Sequence, residues 1–262
     1  MTELSEKLAS SAAREIERKL NSISGGEILD VCTAKGDFIQ TMKEMLKDYR
    51  SFVGIDISAK DLKSAKNEFN KQPVKFLQMN AETLEFQNDS FDTVCMSYSL
   101  HHLDEKEKVL AEMKRVLKEN GYSILQEMYC DGQQSEAQKT DILTHHWDAK
   151  VDSMIGIPHK ATFTKQELKE IVAAIGLKEF PVKCLFCDNK LECANPKNEG
   201  IINFTIKEIN ETLTRLQKHS KGIDPRMQTE CEKLNDEGEK LIELAKKTGA
   251  APPSQLFVIG RN

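Results

Sequence analysis

The sequence predicts an α/β fold, with a doubly wound, mostly parallel seven-stranded sheet and a helical insertion before the last strand. Three observations predict it. Short β-branched and apolar runs alternate with amphipathic stretches of about ten residues from Glu27 to Met128. The first run passes through a small-residue turn straight into a helical pattern. An isolated apolar run, Gln255-Leu256-Phe257-Val258-Ile259-Gly260, ends the chain and needs a sheet to enter.

The elements follow in order. Leu4, Leu8, Ala12, Ile16 and Leu20 recur every four residues and predict a helix, broken at Gly25-Gly26. Glu27 to Cys32 reads as a buried strand and residues 37–49 as a helix with Phe38, Met42, Met45 and Leu46 on one side. Phe52 to Ile57 is a second strand, 59–70 a second helix, and Val74 to Met79 a third strand after the turn at Pro73. Phe91 to Ser97 is a fourth strand, followed by a helix over 104–118 that Asn120-Gly121 would cap. Tyr122 to Met128 is the fifth strand, and residues 136–155 are expected to be helical. Thr164-Lys165-Gln166-Glu167 has the form of a capping box opening a helix that stops at Gly176, with a sixth strand at 177–186.

From 201 to 248 the apolar spacing becomes helical throughout: Ile202, Ile206, Ile209, Leu213, Leu216, then Met227, Cys231, Leu234, Leu241, with Gly238 interrupting. Asp224 and Pro225 between the runs suit a helix start, so a helical hairpin is expected. The 262 residues are therefore expected to form a single domain. Within it, 1–135 is read as the cofactor-binding core, 136–163 and 188–250 as insertions, and 255–262 as the closing strand.

Charge and composition exclude several classes. Thirty-seven basic against 42 acidic residues give a net charge of -5, which argues against a nucleic-acid binder. The hairpin region 196–250 holds ten of each sign, so it is no basic arm. No apolar run approaches a membrane span, and the charged first twenty residues lack the apolar core of a signal peptide. Seven cysteines without a secretory signal fit reduced thiols, so a cytoplasmic protein is expected.

Two features carry chemistry. The turn Cys32-Thr33-Ala34-Lys35-Gly36 is built of small residues where backbone N–H groups must approach a ligand. Asp56, twenty residues after Gly36 and at the end of the next strand, is placed to accept both hydroxyls of a ribose. A carboxylate there also suits a helix cap, but Ser58 is equally able to cap. His101 and His102 follow the fourth strand, at the sheet end where open α/β folds bind ligands.

The segments ILDVCTAKGDF, VGIDIS, NAETLEF, FDTVCMSYSLHHL and the strand after VLKENG occur in that order over residues 27–128. Together they resemble the class I S-adenosylmethionine-dependent methyltransferases, and more narrowly the small-molecule branch called methyltransferase type 11. The closing strand QLFVIGRN fits the antiparallel seventh strand of that fold.

The resemblance implies that Asp30 opens the cofactor motif, whose glycine positions fall on Cys32, Ala34 and Gly36. It implies that Asp56 holds the ribose, Ile57 packs on the adenine, and Asn80 accepts from the adenine amino group beside Ala81. Ser97 and Tyr98 would lie next to the sulfonium, and His102 matches a frequent histidine of the family.

The implied activity is methyl transfer from S-adenosylmethionine to a small-molecule acceptor. His102 is the first candidate for a base or orienting group, with His101, His145 and His146 behind it. The alternatives are a binding protein on a degenerate methyltransferase fold and a nicotinamide-dependent oxidoreductase. The second lacks the GxGxxG that a pyrophosphate requires. No metal is expected: His145, His146, Asp152 and His159 match no zinc spacing, nor do Cys184, Cys187 and Cys193. Trp147 reads as a pocket wall.

Overall fold

The computed structural model describes residues 11–70, 72–176, 183–184, 198–220 and 225–262. They fall into two compact units: a sheet-containing unit within Ser11–Glu127, Gln166–Leu185 and Gln255–Asn262, and a helical unit within Met128–Lys165 and Phe186–Ser254.

In the first unit, α1 (Ser11–Leu20) buries Ile16 and Leu20 and precedes β1 (Glu27–Val31). Then follow α2 (Asp37–Met45), β2 (Ser51–Asp56), α3 (Ala59–Glu68), β3 (Val74–Gln78), β4 (Phe91–Ser97), α4 (Lys106–Val116) and β5 (Leu117–Met128). Next come α5 (Glu136–Met154), α6 (Lys165–Ala174), β6 (Lys183–Cys184), α7 (Glu199–His219), α8 (Pro225–Thr248) and β7 (Gln255–Arg261). The sheet order is β3-β2-β1-β4-β5-β7-β6. From β3 to β5 the strands pair in parallel, and β6 runs antiparallel to β7. The Gln126 side chain bonds that of Gln255 while Asn262 N–H reaches Gly121 O, so β7 runs against β5.

Apolar runs drive this layering. Ile28, Leu29, Val31, Phe52, Ile55, Val94 and Met96 are all essentially fully buried, as strands covered on both faces require. Helices supply the covers: Phe38, Ile39 and Met42 from α2, Leu62 and Ala65 from α3, and Val109, Leu110, Met113 and Val116 from α4.

One boundary differs from expectation. The helix expected over 104–118 ends at Val116, and Asn120-Gly121 does not cap it. Asn120 instead takes φ 61° inside a register shift, where Phe91 and Thr93 pair with Leu117 and Tyr122. An asparagine tolerates that left-handed backbone, so one residue type serves a cap and a bulge alike. The sixth strand expected at 177–186 is described only at Lys183–Cys184. Cys187, Cys193 and residues 222–224 lie outside the described residues.

The helical unit packs α5, α7 and α8 around Trp147, Val151, Ile209, Leu213, Leu216, Cys231, Leu234 and Leu241. Trp147 is a core residue, 2% exposed, that also walls a cavity beside His145 and Asp148, and its Nε1 donates to Leu234 O at 2.8 Å. Gly238 lets this happen: a Cβ there would sit 2.5 Å from Trp147 Cζ2 and 2.8 Å from Leu213 Cδ2. No described helix is long and apolar enough to cross a membrane.

Candidate cofactor and acceptor site

The carboxyl ends of β2, β1 and β4 lie side by side, and β1/β4 is where the strand order reverses. Open α/β sheets bind ligands at such a switch point. The turn after β1 is strained there. Cys32 has φ 58°, Ala34 φ 45° and Gly36 φ 89°, so all three motif positions need the left-handed backbone and only one is glycine. Tyr98, just past β4, has φ 48°. Non-glycine residues in this region cost of order 1 kcal/mol each and gather where ligands are clamped.

Asp30 is buried, and its Oδ2 accepts the Thr33 hydroxyl at 2.5 Å. Cys95 Sγ lies 3.5 Å from Oδ1. Burial pushes the carboxyl up to about 7 against the pull of these two partners. Asp30 therefore braces the turn from below. Burial, with help from the Asp56 and Asp30 carboxylates, also drives the Cys32 thiol up to about 12, so it stays protonated and unreactive.

Asp56 is half-buried at the end of β2. Its Oδ2 accepts Ala34 N–H at 2.9 Å and its Oδ1 accepts Ser58 N–H at 2.8 Å. Ser58, not Asp56, caps α3 through Asp61 N–H. A carboxylate has about four acceptor sites, so these two bonds leave room for the two hydroxyls of a ribose. Ile57, beside it, is 71% exposed, an apolar face ready to take a flat ring.

Asn80 Oδ1 accepts Glu82 N–H at 2.9 Å and keeps one lone pair; Ala81 is buried next to it. Ser97 Oγ lies 3.3 Å from Gln126 Oε1, while Gln126 Nε2 donates to Tyr98 OH at 3.1 Å and to Gln255 Oε1 at 2.7 Å. Donor chemistry, spare acceptor capacity and the exposed apolar face all suit S-adenosylmethionine.

The histidines separate. His101 is 1% exposed with Nδ1 3.1 Å from Glu127 Oε1, and Glu127 Oε2 also accepts Leu100 N–H at 2.9 Å. His101 is thereby built into the fold, whereas His102 is exposed with its ring centroid 4.2 Å from that of His101. His145 and His146 belong to the helical unit. His146 Nε2 accepts Thr162 N–H at 3.2 Å and lies 2.9 Å from Thr162 Oγ1. Burial, and then the Lys150 charge, lower its pKa. Sequence reasoning does not single out Thr33, Gln126 or Glu127. The available signal is two polar residues, Gln126-Glu127, at the end of the apolar run Tyr122 to Leu125.

Residues 29–125 match the family described as methyltransferase domain. The demethylmenaquinone methyltransferase of Lactococcus lactis is 35% identical over 107 residues, covering 40% of this chain and 42% of that protein. The aligned stretch therefore spans less than half the length of this relative. A Haemonchus contortus phosphoethanolamine N-methyltransferase, solved with S-adenosylhomocysteine, superposes with TM-score 0.53 at 14% identity, over 95% of this chain and 52% of that one. The [4+2]-cyclase SpnF superposes with TM-score 0.52 at 16% identity, over 95% of this chain and 78% of that one. These structures establish a shared fold, and the family match adds the motifs. Over residues 29–125 the chain is thus similar to the methyltransferase domain family, on a fold it shares with a methyltransferase solved with S-adenosylhomocysteine.

Proposed function

We propose that this protein transfers the methyl group of S-adenosylmethionine to a small-molecule acceptor. The observation that carries the reading is the Asp56 carboxylate, fixed by the Ala34 and Ser58 amides with acceptor capacity to spare beneath a strained, small-residue turn. When bound, the cofactor supplies a methyl group activated on a sulfonium, whose departure needs no acid.

This chain's residues then bind and orient. Asp56 holds the ribose, Ile57 and Ala81 flank the adenine, and Asn80 accepts from its amino group. Asp30 and Thr33 keep the turn in shape. Ser97 and Tyr98, held by Gln126, border the methyl end. An acceptor hydroxyl or amine that must lose a proton has exposed His102 as its candidate base in this unit. Most of the acceleration would come from holding acceptor and methyl in line, with water kept out.

The named activity of the Lactococcus relative makes a quinol the first acceptor to test, although the alignment covers only the cofactor half. The experiment is direct: bind S-adenosylhomocysteine by calorimetry, then screen phenols, quinols and amines for its formation from S-adenosylmethionine. Binding without turnover of any acceptor would favour another use of the fold, as the cyclase neighbour illustrates. No binding at all would overturn the reading.

A further inference from the structure

The helical unit brings together two imidazoles that the cofactor site does not use. His145 lies on α5 and His159 on the segment after it, and their Nε2 atoms face each other at 3.2 Å. The rings stand 70° apart with centroids separated by 4.7 Å. His159 is buried, and its Nδ1 lies 2.9 Å from Asp152 Oδ2. A carboxylate on Nδ1 holds the ring proton there and directs the Nε2 lone pair toward the partner ring. Ser153 Oγ donates to His159 O at 2.9 Å and Ile157 N–H to Asp152 O at 2.8 Å, so the segment is pinned back onto the helix that carries Asp152.

Asp148, Asp152 and His159 carry ligand atoms within 4.8 Å of one another, but the two carboxylates already share a cation. Arg215 places Nη1 2.7 Å from Asp152 Oδ1 and Nη2 2.8 Å from Asp148 Oδ1. A second cation is repelled from that side and favoured at the imidazole side. Two imidazole nitrogens bound to one zinc at about 2.0–2.1 Å in tetrahedral geometry stand about 3.3 Å apart. The observed separation matches it. Imidazoles suit zinc, copper, nickel and iron, and a carboxylate behind a ligating histidine is their usual outer partner.

We propose that His145 and His159 are two ligands of a divalent transition-metal site, oriented by Asp152. The spacing of 14 residues conceals the pair in the sequence, because one ligand is on a helix and the other on the segment that folds back over it. On α5 itself His145, Asp148 and Asp152 follow at intervals of three and four, a single helix face.

The test uses the full chain, stripped with a chelator and titrated with Co2+ and then Zn2+. Saturable visible absorption of the kind given by Co2+ of low coordination number, lost on adding Zn2+, is expected at one metal per chain. His145→Gln and His159→Gln should each abolish it, Asp152→Asn should weaken binding about 10–100-fold, and His219→Gln should leave it unchanged. Circular dichroism separates loss of a ligand from loss of fold, and the unsubstituted chain needs no such control. Absence of saturable binding to that chain overturns the proposal. Binding that survives both histidine substitutions places the metal elsewhere and overturns it equally. S-adenosylhomocysteine affinity, read on the same samples, reports on the methyltransferase assignment independently.

Discussion

Ala34 N–H donates to Asp56 Oδ2 across 2.9 Å, so the turn after β1 and the end of β2 form one hydrogen-bonded unit. Asp56→Ala therefore removes the proposed ribose acceptor and an anchor of the turn together. Hydrogen bonds to a charged group are worth about 1.5–3 kcal/mol, so cofactor affinity should fall roughly 10- to 150-fold. Titration calorimetry with S-adenosylhomocysteine measures this, and an unchanged affinity would place the ribose elsewhere.

The strained turn makes a second prediction. Cys32 and Ala34 each hold a Cβ at positive φ, at a cost of order 1 kcal/mol. Glycine relieves that strain but gains entropy in the unfolded chain, which returns a good part of the gain. Ala34→Gly should thus raise stability by less than about 1 kcal/mol and leave cofactor affinity equal or tighter. Substitution by valine, which tolerates the left-handed region far less, should lower both. Denaturant melts and calorimetry check the pair, and a clear loss of stability with glycine would show that the alanine methyl is needed for packing.

Much of this is legible in the sequence. Strands β1 to β4 can be bounded to within a residue, because buried parallel strands are continuous apolar runs closed by turn residues. The place of Asp56 at the end of β2 is legible because it follows from strand order alone. β5 is not: its first half contains Asn120-Gly121, a pair that reads equally as a helix cap, and Asn120 takes the left-handed backbone inside the strand. Burial of His101 is hidden too, since it depends on Glu127, a charge that only the assembled sheet brings within 3.1 Å. Helix periodicity locates the hairpin but marks Gly238 as an interruption, whereas it is the space into which Trp147 packs.

Gly238→Ala tests that packing. Helix propensity alone favours alanine by about 1 kcal/mol. The added methyl, however, meets Trp147 Cζ2 at 2.5 Å and Leu213 Cδ2 at 2.8 Å, and both side chains are buried. Overpacking of this kind costs about 1–3 kcal/mol, so the substitution should be destabilising on balance. A melting temperature that rises would mean that the tryptophan yields without cost.

Asp30 gives a prediction in pH. Its folded carboxyl is pushed up to about 7 by burial, against 3.8 for an ordinary aspartate. Between those values the folded chain holds a proton that the unfolded chain releases. Its contribution to stability is therefore complete below pH about 4, declines as pH rises, and is gone above about 7. Asp30→Asn removes this dependence. The stability of the variant relative to the parent should then rise between pH about 4 and about 7, by about 1.4 kcal/mol for each pH unit crossed. Parallel urea titrations at several pH values measure the difference. Curves that stay parallel across that range would show that Asp30 is ionised in the folded protein, with Thr33 and Cys95 holding the charge.

His102 and His101 should separate in kinetics. His102 is exposed, four residues beyond Tyr98 and the end of β4, whereas His101 is locked onto Glu127 in the interior. If the acceptor loses a proton in the reaction, His102→Gln should lower kcat by about 10²–10⁴-fold and flatten its acid limb, with S-adenosylhomocysteine affinity nearly unchanged. His101→Gln should instead act through stability, because it leaves a buried carboxylate short of a partner, a loss of about 1–3 kcal/mol or more for a charged group. Loss of cofactor binding in His102→Gln would move this histidine into the nucleotide site. An unaltered rate would show that the acceptor reacts without a base, as a preformed anion or carbanion does.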